Sequence, residues 1–472
     1  MITEKVIKFK DFENEIYRGC LKLGCSMIKT ALEKYDKELM ASRDKTIYRN
    51  KGLRKSVIKT ILGEVEYYRT IYKFINEDGK ACFVYLLDMA MEMKGSGFIS
   101  ELLSEKIVTE SLESSYRNTA REISELTGQS ISHTAAWRVV QNTGEIVDKQ
   151  EAQKLELARK FQGRGDLVTK VLFEEQDGVY INLQGKSRKE YGKSREIKVA
   201  IAYDGATKIG KNRYELTNKV ACANFENSQK FQKRKEGIIA DTYDTDEINF
   251  RFLNGDGAGW IKPSIRDDTV HFQLDPFHKF KAIRTFVQDP EQARQMVALL
   301  NQNNIELLLD YVEALSNSVP ETGERENLLS LLSYFKTNKN GLVPYHQRGL
   351  DIPEPPEGKD YRKMGAMESN IFSIIGNRMK GRRACWSITG GNNMARLLCL
   401  KATKKLHDTL SNLTSVILSE KYSEKIYTKF SSADIPISLG KGYSGFKQFM
   451  VPSSMKIFKH LATLTHLSKI KI

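Results

Sequence analysis

The stretch NGDGAGWIKPSIRDDTVHFQLDPFHK (254–279) decides how the rest of the chain is read. It completes an apolar, aromatic run, INFRFLNGD (248–256), which predicts a strand ending at Asp256, with Gly257, Ala258 and Gly259 directly behind it. A second run, VHFQLD (270–275), ends in Asp275, and His278 lies three residues further on. Two strand ends that each deliver a carboxylate to one place point to a site for a hard divalent cation. Taken singly, Asp256 reads equally well as the start of a Gly-rich turn and Asp275 as the cap of the next helix.

Upstream lie three more strand-like runs, LVTKVLFEEQDGVYINLQ (167–184), REIKVAIAYDGA (195–206) and RYELTNKVACANF (213–225). The short Gly/Lys/Ser loops between them predict an antiparallel meander. A polar stretch of helical character then leads into the two strands of the opening segment. Three antiparallel strands, a crossover and two further strands is the order of a ribonuclease-H-like α/β core. In the first strand the odd positions Val171, Phe173, Val179, Ile181 and Leu183 are apolar, while Glu174, Gln176, Tyr180 and Asn182 are more polar. Asp177 therefore falls on the face expected to be buried, where an unpaired carboxylate is costly and a cation would remove the cost. Asp177-Gly178 also reads as a bulge or turn. Asp204 competes as the first carboxylate and reads better as a hairpin turn. Glu174 and Glu175 stand close enough to compete as well.

Downstream, residues 290–345 carry a helical pattern that predicts an all-α insertion within the α/β domain, and Pro353, Pro355 and Pro356 mark a loop. In KMGAMESNIFSIIGNRMKGRRACWS (363–387), Glu368, Ile371, Ile375 and Met379 fall near one face of a helix. Lys380, Arg382 and Arg383 follow and are placed to hold phosphates or to form a solvated helix end. The tail, 401–472, reads as a helix over 402–419 and a basic, Gly/Ser-containing end with no assignable task.

The N-terminal part reads as a helix over 1–45, a β-hairpin over 56–74 and a helical stretch over 83–108. Residues 112–143 predict two short helices around Thr127-Gly128-Gln129, a helix-turn-helix or an ordinary helical hairpin. Tyr116, Ala120, Ile123 and Leu126 share one side of the first helix; Ile131, Ala135, Trp137, Val139 and Val140 supply the second. In the first reading Ser130, Ser132, His133, Thr134 and Arg138 face a DNA groove. A polar helix, 144–165, serves as linker. Trp260 is either a core residue or a platform for an unpaired base.

Composition sets the class. With 40% hydrophobic and 28% charged residues the chain is expected to be soluble and globular. No run approaches the ~20 apolar residues of a membrane span, and the N-terminus carries no apolar signal segment, so a cytoplasmic, nucleoid-associated protein is expected. Six cysteines without a Cys-x-x-Cys pair argue against a zinc ribbon or disulfide scaffold. A net charge of +15, from 74 basic against 59 acidic residues, points to a polyanionic partner, nucleic acid first.

The segments FEEQDGVYINLQ, IKVAIAYDGA, NGDGAGWIK, LDPFHK and MESNI…NRMKGRRACWS carry a resemblance. Over roughly residues 167–390 the chain is similar to bacterial insertion-sequence transposases of the Mutator-like DDE/E superfamily, most closely the ISLre-type family. The resemblance implies that Asp177, Asp256 and Glu368 form the catalytic triad and hold Mg²⁺ or Mn²⁺. It implies that Asp275 and His278 form an Asp-x-x-His signature near the scissile phosphate. Its partners would be the terminal inverted repeats of the element and target DNA, bound by a homo-oligomer, with 3′-end cleavage and strand transfer by in-line phosphoryl transfer. The rival expectations are a non-enzymatic DNA-binding protein, either a decayed transposase or a regulator, and a stand-alone metal-dependent nuclease.

Overall fold

The computed structural model describes residues 8–412 apart from 92, 94–98, 162–164, 262–268 and 321–322. The basic tail and the second half of the helix expected over 402–419 lie outside these residues; within them the chain is helical over 406–412.

The chain opens with a long helix, α1 (Phe9–Ser42), laid across a three-stranded antiparallel sheet of β1 (Arg49–Thr60), β2 (Gly63–Ile75) and β3 (Ala81–Tyr85). The expected hairpin is therefore longer than 56–74, and the start of the stretch expected to be helical over 83–108 is instead the third strand. Its alternating ACFVY pattern pairs along β2 from Ile71↔Tyr85 to Ile75↔Ala81. Helix α2 (Leu86–Ala90) follows, then α3 (Glu101–Glu113), α4 (Tyr116–Thr127) and α5 (His133–Phe161).

Gly128 joins α4 to α5 in the left-handed conformation (φ 63°), the cap a side chain would resist. Ala120, Ile123, Ile131 and Ala136 close the small core between the two helices. Leu126 and Trp137, expected on its apolar side, are about half exposed (53% and 45%). Rather than a short helix and a separate linker, α5 is one continuous rod. Asp148 and Glu151 on it receive Arg234 and Arg396, with contacts of 2.5–3.1 Å.

The centre is a mixed α/β unit. Its five strands are β4 (Val171–Asn182), β5 (Ser194–Tyr203), β8 (Val220–Asn224), β9 (Phe250–Gly255) and β10 (Val270–Leu274), in the spatial order β10-β9-β4-β5-β8. β4–β5 and β5–β8 are antiparallel; β4–β9 and β9–β10 are parallel. A short helix, α6 (Gly185–Tyr191), links β4 to β5. The run expected as one strand over 213–225 splits in two. β7 (Arg213–Leu216) pairs with β6 (Ala206–Gly210) outside the main sheet, and only VACAN reaches β8. Asn218, with φ 51°, marks the break. Helix α7 (Ser228–Ala240) makes the crossover to β9.

Both faces of the sheet are covered. The odd residues of β4 face a large core shared with α5, α12 (Met367–Ile371), the following π-helical segment Phe372–Lys380, and α13 (Ile388–Ala402). The even residues face α7, so Glu174 and Gln176 are buried too, not turned to water as polar strand positions usually are. Beyond β10, helices α8 (Pro276–Phe286), α9 (Pro290–Asn301), α10 (Ile305–Ser318) and α11 (Gly323–Thr337) enclose a core of their own around Leu308, Val312, Leu331 and Phe335.

Candidate metal centre

Strand register brings the acidic residues together. β4 and β9 run parallel, with Glu175↔Asn254 and Gln176↔Gly255 as partners. The next residues in step are Asp177 and Asp256. Neighbours in register on adjacent strands project to the same face about 4.8 Å apart, so these two residues leave the same face where β9 ends, and the Asp177 charge is felt at Asp256. Asp177-Gly178 is neither bulge nor turn: Asp177↔Val199 and Gly178↔Lys198 continue the regular ladder with β5. The glycine makes room for Glu196, since a Cβ there would stand 2.1 Å from Glu196 Oε1 and would push that side chain aside. Gly257 (φ 82°) turns the chain after Asp256, and a Cβ on it would strike Asn338 at 2.5 Å. The Asp256 carboxylate accepts the Ala258 N–H at 2.8 Å.

The third and fourth groups arrive on helices. Asp275 caps α8 by accepting the Phe277 and His278 N–H groups (2.8 and 3.2 Å), and Pro276 at the first helical position suits that start. The cap aims His278 back at the sheet, with Nε2 3.4 Å from Asp177 Oδ2. Glu368 enters from α12, exposed. One ligand atom each from Asp177, His278 and Glu368 lies within 4.8 Å of the other two. The grouping thus includes His278, which the expected metal set did not, and has Asp256 alongside.

The electrostatics are those of crowded anions. Burial, and then the nearby Asp177 charge, raises the Asp256 pKa above its ordinary value. Burial does the same to Glu196 on β5, and Asp256 and Asp177 add to it. The Asp177 carboxylate holds the His278 imidazole up against the burial that would lower it. Carboxylate oxygens with one imidazole nitrogen are a donor set for Mg²⁺ or, better, Mn²⁺, and such an ion would offset the repulsion. These residues therefore fit a divalent cation.

Other candidates for the first carboxylate are already engaged. Asp204 is buried at the far end of β5 and accepts Thr217 Oγ1 (2.6 Å), Asn218 Nδ2 (2.7 Å) and Lys359 Nζ (2.6 Å). Glu174 is locked between Lys235 and Arg251 on the α7 side. Glu175, fully buried, accepts the backbone N–H groups of Gly365, Ala366 and Met367, each at 3.1 Å, at the start of the helix that carries Glu368. It also accepts the Tyr203 hydroxyl (2.7 Å) and Asn254 Nδ2 (3.1 Å), and Asn254 donates in turn to Asp275 at 2.6 Å. One buried chain, Glu175–Asn254–Asp275, thus anchors both helices that deliver site residues. The sequence reading weighed Glu175 only as a rival first carboxylate, not as an anchor, and missed Asn254 and Glu196. Glu175 was accessible to it through the same odd-face argument that singled out Asp177.

The residues expected to meet DNA are spread over three places. Ser132, His133 and Arg138 are exposed at the start of α5. Lys380, at the end of the π-helical segment, and Arg383 just beyond it, with φ 56°, are exposed; the Arg382 side chain lies outside the described residues. Trp260 is half-buried, packed edge-on against Phe231 (5.4 Å) with Lys198 over its ring, so its place here is in the packing over α7. Among the described residues no helix is long and apolar enough to cross a membrane.

Against known proteins, the chain resembles a UPF0236 protein of Caldanaerobacter subterraneus subsp. tengcongensis, 24% identical over 399 residues, covering 84% of this chain and 77% of the relative. It is similarly related to the UPF0236 protein in the vanSb 3′ region of Streptococcus gallolyticus, 24% identical over 414 residues, covering 84% and 85%. A further relative in the first organism, 24% identical over 402 residues and covering 84% of this chain and 77% of the relative, bears a name that joins eleven loci. A chain of a solved structure described as a pre-cleavage Mos1 transpososome aligns with 51% of this chain and 79% of its own at 8% identity, with a TM-score of 0.11. The model of the uncharacterised protein family UPF0236 matches residues 2–408, and the chain belongs to that family.

Proposed function

We propose that this protein is a DNA transposase of the DDE/E kind, built on a ribonuclease-H-like core with an all-α insertion and a helix-turn-helix ahead of it. The observation that carries the reading is the grouping of Asp177, His278 and the late-helix residue Glu368, with Asp256 near enough to feel the charges of Asp177 and His278. The sheet order β10-β9-β4-β5-β8, antiparallel on one side of β4 and parallel on the other, supports the core assignment. Relatives whose names join several loci of one genome fit a gene that copies itself.

In this reading Asp177, Glu368 and His278 hold a divalent cation, Mg²⁺ or Mn²⁺, with Asp256 beside them. Such an ion, when bound, supplies Lewis-acid stabilisation of the charge that develops on the phosphate oxygens. Asp275 sets the direction of His278, and Glu175 sets that of the Glu368 helix. A water oxygen attacks the phosphorus at the element end, the P–O3′ bond breaks, and a free 3′-hydroxyl leaves. That hydroxyl then attacks a target phosphodiester in the same way, and one P–O bond replaces another without a covalent protein intermediate. Ser132, His133 and Arg138 would read the terminal repeats, and Lys380 and Arg383 would hold phosphates near the centre.

The test is a nicking and joining assay with Mn²⁺ or Mg²⁺ on DNA taken from the two flanks of the gene. Wild type is expected to nick and join; Asp256→Asn is expected to do neither. Nicking that survives Asp256→Asn removes that residue from the mechanism, and nicking without joining makes the protein a nuclease.

A further inference from the structure

The segment that spans α4 and the start of α5 lacks the charge that duplex binding requires. Residues 112–143 hold three arginines and three glutamates. Affinity for duplex DNA comes largely from cations that displace the counterions of the phosphates, so this segment can supply contacts to bases but little of that term.

The charge lies next door. Residues 43–59 contain seven lysines and arginines and one aspartate. They include the outer strand of the N-terminal sheet, whose first seven residues, Arg49–Lys55, are all exposed. Lys45, Arg49, Lys51 and Arg54 have no acidic partner among the described residues; Lys55 pairs with Glu66 at 2.8 Å. Across the ladder Arg49 stands directly opposite Lys73, and Arg54 opposite Arg69. Like charges facing each other across a sheet cost stability. Arg69 is relieved by Asp88, but Arg49 and Lys73 are not relieved by any acid in the described structure. A register shift between Asn50 and Leu53, with Gly52 at φ 91°, marks a β-bulge in this edge, which locally bends the strand and increases its twist.

The strand is also fixed to the helices. Gln129 Nε2 donates to the Thr60 carbonyl at 2.6 Å, and Lys59 Nζ donates to the Ser130 carbonyl. The end of β1 is therefore bonded to the turn immediately before Ser132 and His133. From there its cations extend outward for about 20 Å, from Lys55 to Arg49, at ~3.3 Å per residue.

We infer that the exposed edge of β1, through Arg49, Lys51 and Arg54, is a phosphate-binding surface for duplex DNA that works together with the start of α5. The inference rests on the DNA-binding part of the proposed function. It divides the labour: β1 supplies sequence-independent attachment, and α5 supplies base contacts.

The experiment measures binding of the full chain to a duplex of about 30 base pairs, as fluorescence anisotropy between about 50 and 200 mM NaCl, the range over which phosphate contacts change affinity most clearly. For Arg49→Ala/Lys51→Ala/Arg54→Ala, the slope of log K against log[NaCl] is expected to fall by about 2–3, with affinity down at least ~10-fold. Arg49→Lys/Arg54→Lys keeps the charge and is expected to keep the slope. All three side chains are exposed and two of them face like charges, so the variants should melt with the wild type or slightly above it. Wild-type binding with an unchanged slope in the triple alanine variant overturns this surface alone. A wild type that ignores duplex DNA overturns it together with the DNA-binding reading.

Discussion

Glu174, Glu175 and Asp177 sit on one strand within four residues, and they meet three different fates. Glu174 points toward α7 and is neutralised by Lys235 and Arg251, which lower its pKa to about 2 against the burial that would raise it. Glu175 points the other way and spends its oxygens on backbone N–H groups at the start of α12. Asp177, one step past the last β4–β9 pair, keeps an oxygen facing His278 and Glu368. The first two are supports and the third is a working group. What separates them is the partner that the neighbouring element brings, because residue type and strand position are nearly the same.

That contrast can be broken at each position. Glu174→Gln leaves Lys235, which is buried, and Arg251 short of a carboxylate, and a loss of about 3–5 kcal/mol in urea denaturation is expected. Glu175→Gln keeps the shape but loses acceptor capacity under the Glu368 helix. About 1–3 kcal/mol of stability should go, and Mn²⁺ affinity should fall roughly 10-fold in a titration followed by electron paramagnetic resonance. Asp177→Asn should leave stability within about 0.5 kcal/mol of wild type while abolishing Mn²⁺ binding. An Asp177→Asn chain that is strongly destabilised would make Asp177 a support like the other two.

Acid sharpens the same distinction. With its folded pKa depressed to about 2, Glu174 contributes stability above its ordinary 4.5, and that contribution is lost as pH falls through about 2. His278 has the opposite sign. Its pKa is raised above 6.5, so its contribution to the metal-free fold is full below 6.5 and is lost as pH rises through the folded value. Protonated imidazole cannot bind a metal, so Mn²⁺ affinity should climb with pH through that same raised value, with proton release measurable by calorimetry. A flat profile would remove His278 from the ligand set.

The sequence made the central sheet legible because its strands alternate and end in punctuating residues: Asp177, Asp256 and Asp275 could be named from apolar runs alone. It could not reveal the register between β4 and β9, which depends on a pairing across 79 positions of chain (Glu175 with Asn254). The odd-even argument was right for Asp177 and incomplete for Glu174, because α7 covers the face that alternation alone would leave to water. The third strand of the N-terminal sheet was hidden by its brevity: five residues of ACFVY cannot be told from a helix start by periodicity. In the Glu368 helix, α-helical spacing was assumed, yet Phe372–Lys380 is π-helical, and a wider turn of this kind is set by tertiary packing and is often found at functional sites.

Helix α5 has a mechanical consequence. Its first turn presents His133, and eighteen residues later Glu151 is held by Arg234 and Arg396. An unbroken helix rises about 1.5 Å per residue, so the tip stands roughly 27 Å from that clamp. At about 3.4 Å per base pair this corresponds to some eight base pairs of duplex. The rod acts as a ruler between tip and body, and lengthening it by four residues would move its tip about 6 Å outward and turn it by roughly 40°.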